Sequence, residues 1–515
     1  MKLKVTIVAA ILWACMLQGE GFKILIAAPV TTIYVKDSLC AIARALINNG
    51  HQVSMITPLV PNFAHKNLKV IKIVPKLKFL QNVNLFTLNS SILEEHTTKV
   101  LAATAEAMWE GLPMRREMGT FASFDAVVIP KFLNELIYPF LDDFDGVFLT
   151  FTTLGAEHYA VSHMHGLEVG YWFVKSLLDG PYVGSHSLTE KFILSILELS
   201  DHNFNHSKVH PSASDAIKKY DSRSIDFEEY EEKSRLRLLD GHWLLDGPLA
   251  HTPATVEVAS LTARDGQPLP DSLEKFWRSN SSQGIIYVSF GSYLKSSFIP
   301  THLKHTLLQA FSSLPHRVVW QYDGVDLDLP ANIFRQKILP QQDLLGDNRT
   351  LLFISYCSAS AMREAAYHGV PVLALPIALD QHKNAKKLEA LGVAKILDWR
   401  TVTADQIVGA ATELTTDKMF AEKMREISRV LRDEKERPGD VAAGWVEHAI
   451  LHREAPRLQL PYGPEQLWVL GDRDLRMLWA ATAGGLGFLL GVILTMIYVS
   501  VCRCIRRLRH KEKSE

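Results

Sequence analysis

A chain of 515 residues is too long for one hydrophobic core, so two large domains with appendages are expected. Its 55 Lys and Arg against 56 Asp and Glu give a formal net charge of -1, which leaves no electrostatic basis for nucleic acid or an acidic polymer as partner. A hydrophobic content of 47% fits a globular chain that also carries a membrane segment.

The chain opens with Lys2 and Lys4, an apolar run over 5–17, then Gly19, Glu20 and Gly21 ahead of Phe22. That order predicts a secretory signal over 1–21, since the run is shorter than the ~20 residues a membrane span needs; an uncleaved anchor is the alternative. A strand over 22–29, a helix over 36–49 ended by Gly50, and a strand over 53–57 form a βαβ unit and predict a doubly wound sheet. Strands over 70–74 and 124–130 continue it, and the polar stretch 193–232 reads as helices and surface loops.

Residues 266–283, rich in Gly, Pro and polar side chains, read as a linker. The alternation then restarts: strand 284–290, helix 301–313, strand 318–322, and strands 351–355 and 370–375 with helices between. The predicted class is therefore α/β, with Rossmann-like doubly wound domains over 22–265 and 284–440 facing a cleft, where such sheets bind ligands at strand carboxyl ends.

A return helix and membrane approach occupy 441–476, and the uncharged apolar stretch 477–502 is long enough to span a bilayer. Gly487 and Gly491 inside it allow close helix pairing or reflect composition alone. Six Arg and Lys in the tail 503–515 put that end in the cytosol, which makes a type I protein. Lys511 and Lys513 resemble a dilysine retrieval signal to the endoplasmic reticulum. Cys15 leaves with the signal and Cys502 and Cys504 lie at the membrane edge, so only Cys40 and Cys357 remain in the lumen. Asn89, Asn205, Asn280 and Asn348 begin glycosylation sequons, and no Cys/His spacing suits a metal.

The stretch 337–399 carries a recognisable order: Leu339-Pro340-Gln341, Asp343-Leu344-Leu345-Gly346, Glu364-Ala365, His368-Gly369-Val370-Pro371, Asp380-Gln381 and Asn384. It resembles the donor-binding signature of the UDP-glycosyltransferases, which include the glucuronosyltransferases. Gly291-Ser292, Leu269-Pro270 with Phe276, Gly50-His51, Trp445 and Glu447 add to the likeness. The resemblance implies a GT-B arrangement, with an acceptor-binding first domain and a second that binds a UDP-sugar. It further implies inverting transfer of a glucuronosyl or glucosyl group to a small lipophilic acceptor, no cofactor beyond the UDP-sugar, and homo- or hetero-oligomers. By the same resemblance Gly291 and Ser292 approach the diphosphate, Gln341 meets the uracil edge, Glu364 accepts the ribose hydroxyls, and Asp380 and Gln381 grip the sugar.

Several expected residues are replaced. The family's base is a histidine after the first strand, but no histidine occurs between Phe22 and Gly50, and Tyr34 comes nearest to its place. A phenol with pKa near 10 is a poor base unless strongly perturbed, as by the nearby Lys36. The base's partner aspartate is absent, with Pro130 or Lys131 at its position. The H-G-G turn is Tyr356-Cys357-Ser358, with Ser360 in place of an asparagine, so close backbone approach to phosphate is hindered, although Ser358 or Ser360 can cap the helix. Ile338 replaces a stacking tryptophan, and Asp347 sets a negative charge where a histidine is common. A catalytically impaired relative, binding a ligand or pairing with active members, is therefore the alternative expectation.

Overall fold

Short apolar runs become parallel strands when helices cover both faces of the sheet, and the alternation of side chains then splits each strand between two cores. The computed structural model describes residues 21–511 apart from 79–80, 118, 120, 132, 154–208, 247–253, 259, 279–283, 292–293, 325–328 and 455–471. The expected signal, Ser292 and much of the stretch 193–232 therefore lie outside the described residues.

The first sheet contains β1 (Lys23–Ala27), β2 (Gln52–Thr57), β3 (Leu68–Lys72), β4 (Ala126–Pro130), β5 (Val147–Thr153), β6 (Leu236–Asp240) and β7 (Thr255–Glu257) in the order β3-β2-β1-β4-β5-β6-β7. The second contains β8 (Ile285–Ser289), β9 (Arg317–Gln321), β10 (Ile333–Gln336), β11 (Thr350–Ser355), β12 (Val372–Ala374) and β13 (Ala394–Ile396) in the order β10-β9-β8-β11-β12-β13. All the pairings are parallel. Strand order reverses between β1 and β4 in one sheet and between β8 and β11 in the other, so each sheet offers a crevice at its carboxyl end there.

In β1, Ile24 and Ile26 pack under the helix α1 (Ile33–Asn48), whereas Leu25 and Ala27 enter the core on the other face. The start of α1 departs from the sequence expectation by three residues. Thr32 caps it, its side chain accepting from the Val35 amide at 3.2 Å, and Tyr34 thereby stands in the first helical turn instead of a loop.

The element following α1 in the site is the short helix α2 (Trp243–Asp246), after β6. On the second sheet the relevant helices are α3 (Gln341–Gly346), α4 (Ala359–His368) and α5 (Gln381–Ala390). The helix α6 (Pro438–Leu451) then crosses back and packs on α1 through Ala442, Ala443 and Val446. Gly439 permits the approach, since a Cβ there would lie 3.2 Å from the Ala41 carbonyl oxygen. His51 ties the residue before β1 to α6: its Nδ1 accepts from the Phe22 amide, leaving its Nε2 proton for Glu447 at 2.9 Å.

The last helix, α7 (Asp472–Lys511), holds the segment Ala481–Arg503, which is apolar and long enough to cross a bilayer and is not buried against the rest of the molecule. Of the expected glycosylation sites that are described, Asn89 and Asn348 are exposed.

Leu46 sits fully buried in the core shared by β1, α1 and α6. Leu46→Ala should cost about 2–5 kcal/mol of unfolding free energy. Chemical denaturation measures it, and a loss well below that range would mean α6 does not hold its place on α1.

Candidate active site

The hydroxyl of Tyr34 does not point into open solvent. It donates to Asp240 Oδ2 at 2.5 Å, and Arg363 Nη1 donates to it at 3.3 Å. Asp240 is the last residue of β6 and has no exposure, while Arg363, from α4 in the second lobe, is 1% exposed. Arg363 Nη2 also donates to the Asp240 carbonyl oxygen at 2.6 Å and approaches Asp246 Oδ2 at 3.5 Å. Lys387, from α5, completes the set by donating to Asp246 Oδ1 at 2.7 Å. Asp246 thus pairs with both cations of the second lobe, while the Asp240 carboxylate is bonded to Tyr34 beside them in the same buried cluster.

This geometry corrects two expectations. Tyr34 does have an aspartate partner, because β6 supplies Asp240 although the end of β4 carries Pro130. Its phenol is not a lowered-pKa base: burial pushes it well above the usual 10, against the opposing pull of Arg363. Lys36 has no part in this, since its ammonium pairs with Asp37. Burial likewise raises the Asp240 carboxyl above the ordinary 3.8, against Arg363. Burial also acts to raise Asp246, but Lys387 and Arg363 outweigh it and hold that carboxyl below 3.8.

The opposite wall is built by the turn from β11 into α4. Cys357 takes a left-handed conformation at φ 66, a shape that glycine adopts at no cost, and its side chain is fully buried in the core instead of lying over the turn. The feared obstruction from Cys357 therefore does not arise. Ser358 caps α4, accepting from the Ala361 amide at 3.4 Å, and its hydroxyl lies 3.2 Å from that of Ser360. Tyr356 is the residue that crowds the turn. Its hydroxyl would lie 2.0 Å from a Cβ on Gly291, whose φ is 71, so the phenol is seated on that glycine.

Glu364 accepts from Gln341 Nε2 at 2.7 Å, and Tyr287 donates to Gln341 Oε1 at 3.2 Å, so these two expected ligands of base and ribose stand side by side. Asp380 Oδ2 accepts from the Ala359 amide at 3.2 Å and from Asn384 at 2.7 Å, which sets a carboxylate at the N-terminus of α4. Gln381 is not turned to the cleft. It is 2% exposed, and its Oε1 accepts from the Ile377 and Ala378 amides at 2.8 and 3.0 Å, holding the loop after β12. Asp347 is engaged by Arg349, which also reaches Glu274, so its charge is compensated. Ile338 is 72% exposed.

Sequence reasoning missed Asp240, Asp246, Arg363 and Lys387. The one available signal was an acid closing the apolar run Leu236–Asp240, at the carboxyl end of a strand. Burial of Glu364 pushes its carboxyl up to about 7, partly offset by Gln341. With the folded value above the unfolded 4.5, the stability this group contributes is complete below 4.5 and is lost as pH rises through about 7. Glu364→Gln should therefore gain on the native protein in thermal unfolding from about pH 5 to about pH 8. A difference independent of pH would count against a buried neutral carboxyl.

Comparison with known proteins follows the same lines. Residues 189–513 match the family model of UDP-glucoronosyl and UDP-glucosyl transferase. A UDP-glucosyltransferase 2 of Dactylopius coccus is 31% identical over 45% of this chain and 45% of its own length. The rabbit (Oryctolagus cuniculus) UDP-glucuronosyltransferase 2B16 is 30% identical over 55% of this chain and 52% of its own. The chain thus spans about half the length of these relatives. Among solved structures, the glycotransferase of kitacinnamycin superposes with TM-score 0.56 at 18% identity, covering 85% of this chain and 99% of that one. A UDP-glucosyltransferase of Polygonum tinctorium gives 0.57 at 14% identity, covering 85% and 100%. With its two parallel sheets in the GT-B arrangement, the chain belongs to the UDP-glycosyltransferase family.

Proposed function

We propose that the chain transfers a glucuronosyl or glucosyl group from a UDP-sugar to a hydroxyl of a small lipophilic acceptor, in the lumen of the endoplasmic reticulum. Residues 22–265 hold the acceptor and 284–440 the donor, joined by 266–283. Residues 1–21 direct the chain to the lumen, 441–476 return to the membrane, 477–502 anchor it and 503–515 lie in the cytosol. No metal takes part, and pairing with family members is compatible with the single anchor.

The observation that carries this is the Ser358-capped N-terminus of α4 beside Gly291, with Gln341 and Glu364 hydrogen-bonded to each other next to it. A helix N-terminus favours a diphosphate, and the turn's left-handed Cys357 keeps the backbone shape for it. Tyr356, on Gly291, donates its hydroxyl to a phosphate oxygen; Ser292, Ser358 and Ser360 add hydroxyls; Gln341 and Glu364 take uracil and ribose. Asp380 takes the sugar hydroxyls, and Gln381 orders the loop that carries it.

Tyr356 and Asp380 together also favour a second possibility, a silent ligand-binding or partner subunit, because both are own-chain groups already placed at the turn. Calorimetry on the detergent-purified full chain separates the two. Transfer predicts that UDP binds and that Tyr356→Phe weakens it by about 10- to 100-fold, the value of a hydrogen bond to a charged group. A filled turn predicts no UDP binding by the native chain and recovery of binding in Tyr356→Gly.

A further inference from the structure

Asp240, Arg363 and the Tyr34 hydroxyl form a chain of contacts that reaches from the interior to a partly exposed side chain in the first turn of α1, at the strand-order reversal of the first sheet. We propose that Tyr34 and Asp240 are a proton relay for the acceptor hydroxyl, with Arg363 as the residue that positions both. The proposal rests on the UDP-sugar transfer proposed above and names the group that takes the acceptor's proton.

The phenol oxygen has one proton and two lone pairs. Its proton is directed at Asp240 Oδ2 and one lone pair accepts from Arg363 Nη1, which leaves the second lone pair for an acceptor hydroxyl. In the step, the acceptor O–H bond breaks as its proton passes to Tyr34 Oη, while the Tyr34 proton passes to Asp240 Oδ2. The acceptor oxygen forms its bond to the anomeric carbon as the bond from that carbon to the diphosphate oxygen breaks, and UDP leaves with the electron pair. One proton has moved onto Asp240, and it returns to solvent along the same path in reverse. Tyr34 is never a standing phenolate, which is consistent with a phenol that burial holds protonated. Asp240, raised by burial, is better matched than an ordinary carboxylate to receive a proton. Arg363 opposes charge that develops on Tyr34 Oη and orients Asp240 through its carbonyl oxygen.

The charged groups facing this relay set its pH dependence: Arg363 and Glu364 from α4, and Asp246 from α2, itself held by Lys387 from α5. Asp240 must be ionised to receive a proton. Activity therefore rises with pH through its raised pKa, and removing the Arg363 charge moves that acid limb upward.

The test uses the detergent-purified full chain with UDP-glucuronic acid and UDP-glucose and a mixture of phenols and steroids. Tyr34→Phe, which keeps the ring, should lower kcat by about 100- to 10,000-fold with KM for the UDP-sugar unchanged. Asp240→Asn should do the same and remove the acid limb, and Arg363→Met should shift that limb to higher pH. In mixtures of light and heavy water the native rate should fall along a curve, as for two protons in flight. Undiminished kcat in Tyr34→Phe overturns the relay while leaving the transfer proposal standing, and so does a straight isotope line. UDP binding without any transfer overturns the relay and leaves the donor site. Neither binding nor transfer overturns both. Should Asp240→Asn fail to fold, Tyr34→Phe and the isotope curve decide alone.

Discussion

Four charges buried where the two sheets meet constrain everything else at the site. Asp240 and Asp246 come from the first lobe, Arg363 and Lys387 from the second, and each is at most 6% exposed. An ion alone in such a place costs several kcal/mol; both close ion pairs fall on Asp246, whereas the Asp240 carboxylate is met by the Tyr34 hydroxyl and by the Arg363 charge at longer range. The effect of the set is geometric more than stabilising. Stranding one member by removing its partner costs about 3–5 kcal/mol, whereas the intact set contributes little. The carboxyl ends of both sheets are thereby registered against each other. The lobes also touch where Phe86 meets Trp399 at 4.7 Å between ring centroids and where Gln342 donates to the Thr262 carbonyl at 2.8 Å.

At the donor end, the question is how much negative charge the site sets against a negative ligand. Asp347 is compensated by Arg349, and Glu364, pushed up to about 7, is partly neutral near physiological pH. Asp380 remains. It accepts the Ala359 amide that a phosphate oxygen would otherwise take, so a diphosphate must share or displace it. The backbone is not the obstacle that the lost glycines implied. Cys357 pays roughly 1–2 kcal/mol to hold a left-handed turn, and the core absorbs its thiol.

The alternation of strands and helices was legible because short apolar runs and helical periods survive without tertiary context. Thr301–Ser313 formed over the expected residues, and β2, β4 and β11 fell within a residue or two. The helix α1 starts ahead of its apolar period because Thr32 caps it, which takes Tyr34 from a loop into the first turn. Asp240 was illegible for a different reason. It lies 206 residues from Tyr34, and the sheet order that brings β6 to the crevice is not written in any local pattern. Arg363 and Lys387 look like solvated charges on amphipathic helices, and burial alone distinguishes them. Gln381, which the resemblance made a grip on the sugar, instead gives its side-chain oxygen to two backbone N–H groups.

The helix α4 links the two ends of the proposed chemistry. Its cap is Ser358, two residues after the Tyr356 that sits on Gly291; Glu364 meets Gln341, and Arg363, one residue earlier, turns toward the other lobe. Successive helical side chains diverge by about 100°, so neighbouring residues serve opposite partners without strain. A rigid helix of ten residues cannot shift at its cap without moving Arg363, because packing around it is dense and Arg363 is held by three groups of the first lobe. A diphosphate bound at the cap of α4, as proposed, would be linked to Tyr34 and Asp240 through Arg363. The orientation of the acid proposed to receive the proton depends on the same helix proposed to receive the diphosphate.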